Sequence, residues 1–201
     1  MMIRNIIFDF GAVLLDWNPE HLYGPYFKDE ARMHHFLTEI CPYSWNTTVD
    51  AGRSTAEATA ERIALHPEWE KEIRMYYGEW TKMMGGQIPG MQELAEGLRE
   101  RGYRLYGLSN WSAETFPLVR DRYPVLGLLE GYVVSGEEKI VKPDPRIYRI
   151  LMERYGLKPE ECLFIDDNPD NIAGGEAVGI RGVVFSSPEE LKKQLAEVLP
   201  E

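Results

Sequence analysis

The 201-residue sequence predicts an α/β fold built on a doubly wound parallel sheet, and three observations carry that prediction. Five short apolar runs each end abruptly on polar residues. The runs are nearly continuous in hydrophobicity rather than alternating, which suits parallel strands covered on both faces. Helical segments separate the later runs, and alternating strand and helix is the pattern of such a sheet. One section, residues 17–84, breaks the rhythm and reads as a small helical cap inserted after the first strand. The expected division is a Rossmann-like α/β core of residues 1–16 and 85–201, with residues 17–84 as the cap.

Ile6-Ile7-Phe8, ending at Asp9, is the first expected strand. Helix-like stretches follow near residues 21–26, 30–40, 55–64 and 68–83, with no persuasive strand among them. Gly85-Gly86 and Pro89-Gly90 read as a flexible return to the core. Residues 90–101 carry Met91, Leu94, Ala95 and Leu98 at the spacing of one helix face. Leu105-Tyr106-Gly107-Leu108, ending at Ser109-Asn110, is the second strand, and Tyr132-Val133-Val134, ending at Ser135, is the third. Asp144-Pro145 opens a helix with an N-cap and a first-turn proline, and Gly156 stops it after Tyr155. Leu163-Phe164-Ile165 ends at Asp166-Asp167, and Asn168-Pro169 repeats the helix-start signal. Gly182-Val183-Val184-Phe185 ends at Ser186-Ser187, and Pro188-Glu189-Glu190 opens the last helix with acid near its positive end. The chain holds no internal repeat and no low-complexity tract.

Composition excludes several classes. Hydrophobic residues make up 44%, enough for a buried core and too many for a disordered chain. The formal charge of −11 argues against nucleic-acid partners, which demand a basic face, and against a membrane surface. Two distant cysteines, Cys41 and Cys162, make a disulfide framework or structural zinc site an unsuitable reading. Asp9 interrupts the apolar N-terminal stretch, so neither a signal segment nor a membrane span of ~20 apolar residues is expected there. The expected setting is soluble and cytoplasmic.

In an open parallel sheet, ligands bind beyond the carboxyl ends of the strands. The polar residues ending the apolar runs should therefore meet in one cleft: Asp9, Ser109-Asn110, Lys142 and Asp166-Asp167. Three close carboxylates repel one another and raise each other's pKa unless a cation joins them. Hard oxygen ligands of this kind suit Mg²⁺.

Four segments, Phe8-Asp9-Phe10-Gly11-Ala12-Val13-Leu14, Leu108-Ser109-Asn110, Lys142-Pro143 and Ile165-Asp166-Asp167-Asn168-Pro169-Asp170-Asn171, resemble the ordered motifs of the haloacid dehalogenase (HAD) superfamily. The resemblance spans residues 3–184; each motif alone is weak, and all four in order at strand ends are specific. It implies that residues 17–84 are that superfamily's small helical cap. It also implies that Asp9 is a nucleophile forming an aspartyl-phosphate that water cleaves. Ser109 and the backbone N–H of Asn110 would hold the transferring phosphoryl oxygens, and Lys142 would neutralise Asp9 and the phosphate. The metal would take Asp9, the backbone carbonyl of Gly11 and Asp167, with Asp166 behind; aligning Asn171-Ile172 with the family's GDxxxDI pattern favours Asp167 as the direct ligand.

One departure stands out: phosphatases of this superfamily usually carry Asp two residues after the nucleophile, and here Gly11 occupies that place. What is missing is proton donation to the leaving group, worth roughly 10²–10⁴ in rate. A leaving group of lower pKa needs it less, such as the anomeric oxygen of a sugar 1-phosphate. The Asp-x-Gly form, followed by Val-Leu-Leu-Asp, and the Asp-Asp-Asn ending look closest to HAD-type glucose-1-phosphate phosphatases. The expected activity is thus Mg²⁺-dependent hydrolysis of a small phosphorylated metabolite.

Blander roles remain open for single residues: Ser109-Asn110 as caps of a following helix, Lys142 as a solvated lysine, Asp166 and Asp167 as caps of the Asn168-Pro169 helix. Among cap aromatics, Trp17, with its neighbour Asp16, is the best substrate-contact candidate, because both follow the first motif; Tyr43, Trp45, Trp69, Tyr76, Tyr77 and Trp80 are first of all core. His21, His34, His35 and His66 are scattered and offer no evident base. Two alternatives compete. A metal-independent 2-haloacid dehalogenase is permitted by Gly11 but opposed by Asp166-Asp167, where those enzymes resemble Ser-Ser-Asn. A catalytically weak binding or regulatory protein would have no chemical need to retain nucleophile, lysine and metal acids together.

Overall fold

The computed structural model describes residues 2–199. The chain runs β1 (Asn5–Phe8), β2 (Leu15–Trp17), α1 (Glu20–Phe27), α2 (Glu30–His35), α3 (Tyr43–Asp50), α4 (Thr55–Leu65), α5 (Glu70–Gly78), β3 (Met84–Gln87), α6 (Met91–Glu100) and β4 (Arg104–Ser109). It continues through β5 (Gly131–Val134), α7 (Ser135–Glu138), α8 (Pro145–Tyr155), β6 (Cys162–Asp166), α9 (Pro169–Glu176), β7 (Arg181–Val184) and α10 (Pro188–Val198). All five expected apolar runs form one parallel sheet in the order β5-β4-β1-β6-β7.

Both faces of that sheet are covered, which is why its strands read as continuous apolar runs. Ile6 and Phe8 of β1 pack on one side with Met91, Leu94 and Leu98 of α6 and Leu191 and Leu195 of α10. Ile7 packs on the other with Ile147, Tyr148 and Leu151 of α8 and Ile172 of α9. The chain leaves β1 toward β4 and β5, then crosses back to β6 and β7. The reversal makes β1 the topological switch point, and the crevice beyond its C-terminal end is where such sheets bind ligands.

The helix boundaries follow the side-chain signals. The Asp144 side chain accepts from Arg146 N–H, Asn168 from Asp170 N–H, and Ser187 from Glu190 N–H, each with proline at the next residue. Gly156 closes α8 in the left-handed region at φ 62°.

The insertion differs from the sequence reading in four ways. Gly85-Gly86 is part of a strand rather than a loose return: β3 pairs antiparallel with β2, with Leu15 opposite Gln87 and Asp16 opposite Gly86. Glycine leaves room there for the Asp16–His21 pair: a Cβ on Gly85 would lie 2.0 Å from the Asp16 carboxylate and push it aside. Helix α3 was not foreseen, since Tyr-Ser-Trp-Asn-Thr-Thr-Val-Asp has weak intrinsic helix propensity; buried Trp45 and Val49 hold it by packing. The stretch 30–40 passes from α2 into a wider turn that closes with Cys41 N–H donating to Phe36 O at 2.7 Å. The stretch 68–83 is α5 flanked by tight 3₁₀ turns at Pro67–Trp69 and Trp80–Met83. Outside the insertion, 3₁₀ turns at Phe116–Leu118 and Pro124–Leu128 take the place of a helix after Ser109-Asn110.

Among the described residues, no helix is long and apolar enough to cross a membrane.

Candidate active site

Strand ends deliver the acidic residues to one point. Asp9 follows β1 directly, and its N–H donates to Ile165 O at 2.9 Å, which keeps it in line with β6. Ser109 ends β4, Asp166 ends β6, and Lys142 lies in the loop between α7 and α8. The Lys142 ammonium, whose side chain is wholly buried, contacts Asp9 Oδ1 at 3.0 Å and Asp166 Oδ2 at 2.6 Å, and donates to Leu108 O at 2.9 Å.

Neutral groups lock this triad. Asn110 does so through its side chain: Oδ1 accepts from Lys142 N–H at 2.8 Å and Nδ2 donates to Lys142 O at 3.1 Å. Phe10 N–H donates to Asp9 Oδ1 at 2.7 Å, and the Ser109 hydroxyl also bonds the Asp9 carboxylate. Asp166 accepts from Asn168 N–H at 2.8 Å and from Asn171 Nδ2 at 3.0 and 3.1 Å. Helix capping therefore falls to Asn168, while Asp166 is engaged by the lysine and Asn171.

Burial pushes the Asp9 carboxyl up to about 7, even though Lys142 beside it pulls the other way. Burial also opposes the charge on Lys142, but Asp9 and Asp166 outweigh it and hold the ammonium above its ordinary value. Asp167 is raised by burial and by Asp166, although its residue is largely exposed at the cleft. One carboxylate oxygen from each of Asp9, Asp166 and Asp167 lies within 4.8 Å of the others. Three acids against one amine leave an excess of negative charge, and every candidate ligand atom is a hard oxygen. That donor set fits a divalent cation such as Mg²⁺. Asp166 already spends its oxygens on protein donors, whereas Asp167 faces the cavity, so geometry favours Asp167 of the two as a direct ligand.

Above these residues lies a cavity of about 500 Å³. Its floor is Asp9, Gly11, Ser109, Asn110, Lys142 and Asp167; residues 17–84 contribute Trp17, Tyr43, Asn46, Thr47, Asp50 and Trp80 to its wall. At Gly11 a Cβ would meet nothing within 4 Å, so the position is open toward larger side chains.

Trp17 is in the cavity wall as expected, stacked on Trp80 with ring centroids 5.4 Å apart. Asp16 is not: pairing alternates side chains across a strand, and its carboxylate turns instead to His21 Nε2 at 2.9 Å, packed against Gly85. None of His21, His34, His35 and His66 is among the lining residues. Asn46, Thr47 and Asp50 were missed. Their spacing places them on one face of α3, but that signal is legible only once the helix itself is recognised.

Asp50 is nearly fully buried and joins the insertion to the sheet. Its carboxylate accepts from Asn46 Nδ2 at 2.9 Å, and its carbonyl accepts from Ser135 Oγ at 2.6 Å; the Ser112 backbone N–H nearby favours its charged form. Burial pushes its carboxyl up to about 7.

Comparison with known proteins agrees with this geometry. The family model of the haloacid dehalogenase-like hydrolases matches residues 3–179. The chain is 36% identical over 190 residues to a phosphoserine phosphatase of Thermus thermophilus, covering 80% of this chain and 74% of that protein. It is 30% identical over 147 residues to (S)-2-haloacid dehalogenase 4A of Burkholderia cepacia, covering 70% and 63%. A haloacid dehalogenase family enzyme of Bacteroides thetaiotaomicron, solved with magnesium and inorganic phosphate, superposes with a TM-score of 0.67 at 23% identity, covering 92% and 95%. The chain spans only 14%, 37% and 45% of three other curated relatives that it matches. With its parallel sheet, strand-end acids and buried lysine, this chain belongs to the haloacid dehalogenase-like hydrolases, a family of enzymes.

Proposed function

We propose that the protein is a Mg²⁺-dependent phosphatase acting on a small phosphomonoester, with a sugar 1-phosphate as the preferred class. The observation that carries this reading is the buried Asp9–Lys142–Asp166 triad with Asp167 in the wall of the same cavity. The phosphatase relative from Thermus thermophilus and the magnesium and phosphate held by the neighbour from Bacteroides thetaiotaomicron support it.

Asp9 supplies the attacking carboxylate oxygen. As the new Asp9–phosphorus bond forms, the bond from phosphorus to the leaving oxygen breaks, and that oxygen takes the electron pair. Water then attacks phosphorus, releases inorganic phosphate and restores the carboxylate. Lys142, fixed by Asn110 and Leu108 O, holds one Asp9 oxygen in place and balances charge gathering on the phosphoryl oxygens. Ser109 and the backbone N–H of Asn110 are the donors for those oxygens. Mg²⁺, held by Asp9, Asp167 and the Gly11 carbonyl, with Asp166 behind, would supply further neutralisation and orient the phosphate.

Gly11 places no acid beside the leaving oxygen, which favours leaving groups that depart as weak bases. A 2-haloacid dehalogenase is the second reading, supported by the Burkholderia relative. Opposing it, Lys142 is the sole cationic side chain lining the cavity among the described residues and is already held by two carboxylates, leaving no free cation for a haloacid's carboxylate.

The test is phosphate release from a panel of phosphomonoesters, with Mg²⁺ and with EDTA, for the wild type and Asp9→Asn. Turnover that needs metal and Asp9, fastest on 1-phosphates, is expected. Speed on terminal alcohol phosphates would remove the sugar 1-phosphate assignment. Halide release from 2-haloacids without phosphate release would replace the phosphatase reading.

A further inference from the structure

Among the lining residues, the wall facing Asp9 has an unusual inventory. It holds stacked Trp17 and Trp80, the amide of Asn46, the carboxylate of Asp50 and, near the mouth, Asp170, with no cation except Lys142 on the floor. The Asp50 carboxylate accepts from Asn46 Nδ2, with the Ser112 N–H nearby favouring its charged form. Burial pushes the Asp50 carboxyl up to about 7, so above that pH it is ionised and offers about four acceptor sites and no donor, most of which remain for a ligand. In that form the sites accept from hydroxyl groups and repel a second anion carried by the leaving group. Half-buried Trp17, backed by Trp80, which is itself stacked between Trp17 and Tyr77, gives the wall apolar surface suited to the C–H face of a ring beside such hydroxyls.

We propose that this wall selects an uncharged, hydroxyl-bearing ring as the leaving group and rejects one carrying a second anion, with Asp50 as the specificity-determining residue. This rests on the phosphatase reading for its chemistry, yet the selection is a property of binding and is measurable without turnover. Asp50 accepts hydroxyl hydrogen bonds from the ring while its charge opposes a carboxylate at the same place; attraction to one partner and repulsion of the other act together.

The measurement uses glucose 1-phosphate and glucuronic acid 1-phosphate, which share the anomeric leaving oxygen and differ by a carboxylate in place of a hydroxymethyl group. Kd comes from tryptophan fluorescence on Asp9→Asn, in which Trp17 and Trp80 report, and kcat/KM comes from the active protein. At pH 8, where Asp50 is ionised, we expect at least tenfold preference for the neutral sugar in both quantities. Asp50→Asn, which removes the charge and keeps an acceptor, should shrink that preference several-fold in KM and Kd, by weakening the neutral sugar and tightening glucuronic acid 1-phosphate. Thr47→Lys, which puts a cation on the same wall without touching the Asp50 contacts, should shrink it through tighter binding of glucuronic acid 1-phosphate. Equal affinity of the wild type for both sugars, or a preference untouched by both variants, would overturn the assignment. A preserved Kd ratio with no phosphate release from any ester would overturn the phosphatase reading and keep this one.

Discussion

The floor and the wall of the cavity are built by different means. Most floor residues stand at or just beyond the ends of parallel strands held in register by the sheet, and Lys142 joins them from the loop between α7 and α8. Lys142 and two carboxylates then form a buried cluster in which each member depends on the others. The wall hangs on α3, a helix of weak propensity held by the aromatic packing of Trp45 against Tyr76 and Tyr77 and by Asp50's contacts with Ser112 and Ser135. Chemistry common to a family thus sits on the rigid part. The selectivity we propose sits where side chains can change without disturbing the sheet.

The contrast predicts effects of very different size. Asp9→Asn should lower phosphate release by on the order of 10⁴ or more if Asp9 is the nucleophile we propose; single-turnover assays check this. Lys142→Met should abolish turnover too, and in addition cost about 3–5 kcal/mol of stability, because two buried carboxylates lose their shared cation. Urea unfolding monitored by circular dichroism would measure that loss. If Lys142→Met left stability intact, the floor would not be the coupled unit described here.

Gly11→Asp is a smaller and opposite change. The open space at Gly11 accommodates the side chain, and the added acid should raise turnover of terminal alcohol phosphates by roughly tenfold or more while leaving 1-phosphates little improved. No gain on alcohol phosphates would show that proton donation is not what this site lacks.

The smallest effect is on the pH dependence of stability. Asp50 titrates at about 7 when folded against an ordinary value of 3.8. Protonated Asp50 therefore favours the folded state below about pH 4, and that contribution is withdrawn as pH rises toward and through 7. Melting temperatures should fall across this range, and Asp50→Asn should flatten part of the fall; Asp9, raised in the same direction, keeps the rest. An unchanged slope in Asp50→Asn would place Asp50 in water rather than inside the molecule.

How much of this was legible beforehand divides along the same line. The strands were readable because a sheet covered on both faces imposes apolar runs, and the helix starts at Asp144, Asn168 and Ser187 were readable because capping is local. Asp9, Ser109, Asn110, Lys142 and Asp167 were foreseen in one cleft because strand ends converge, and the structure brings them to one cavity. Asp16 was misplaced because its direction depends on pairing with β3, a strand whose Gly85-Gly86 carries no apolar signal. Asn46 and Asp50 escaped notice because local propensity argued against α3, and only contacts with distant Tyr76, Tyr77 and Ser112 make that helix form.

By itself, then, the sequence determined the parallel sheet, the order of its chemical groups and the acid-rich character of the cleft, since these follow from short-range periodicity and from residues at strand ends. Tertiary structure alone decided that Asn110 clamps Lys142 through its side chain, that Asp166 is engaged while Asp167 faces the cavity, and that Asp50 closes the wall. Those outcomes depend on side-chain directions and on contacts between segments far apart in the chain, which no local pattern encodes.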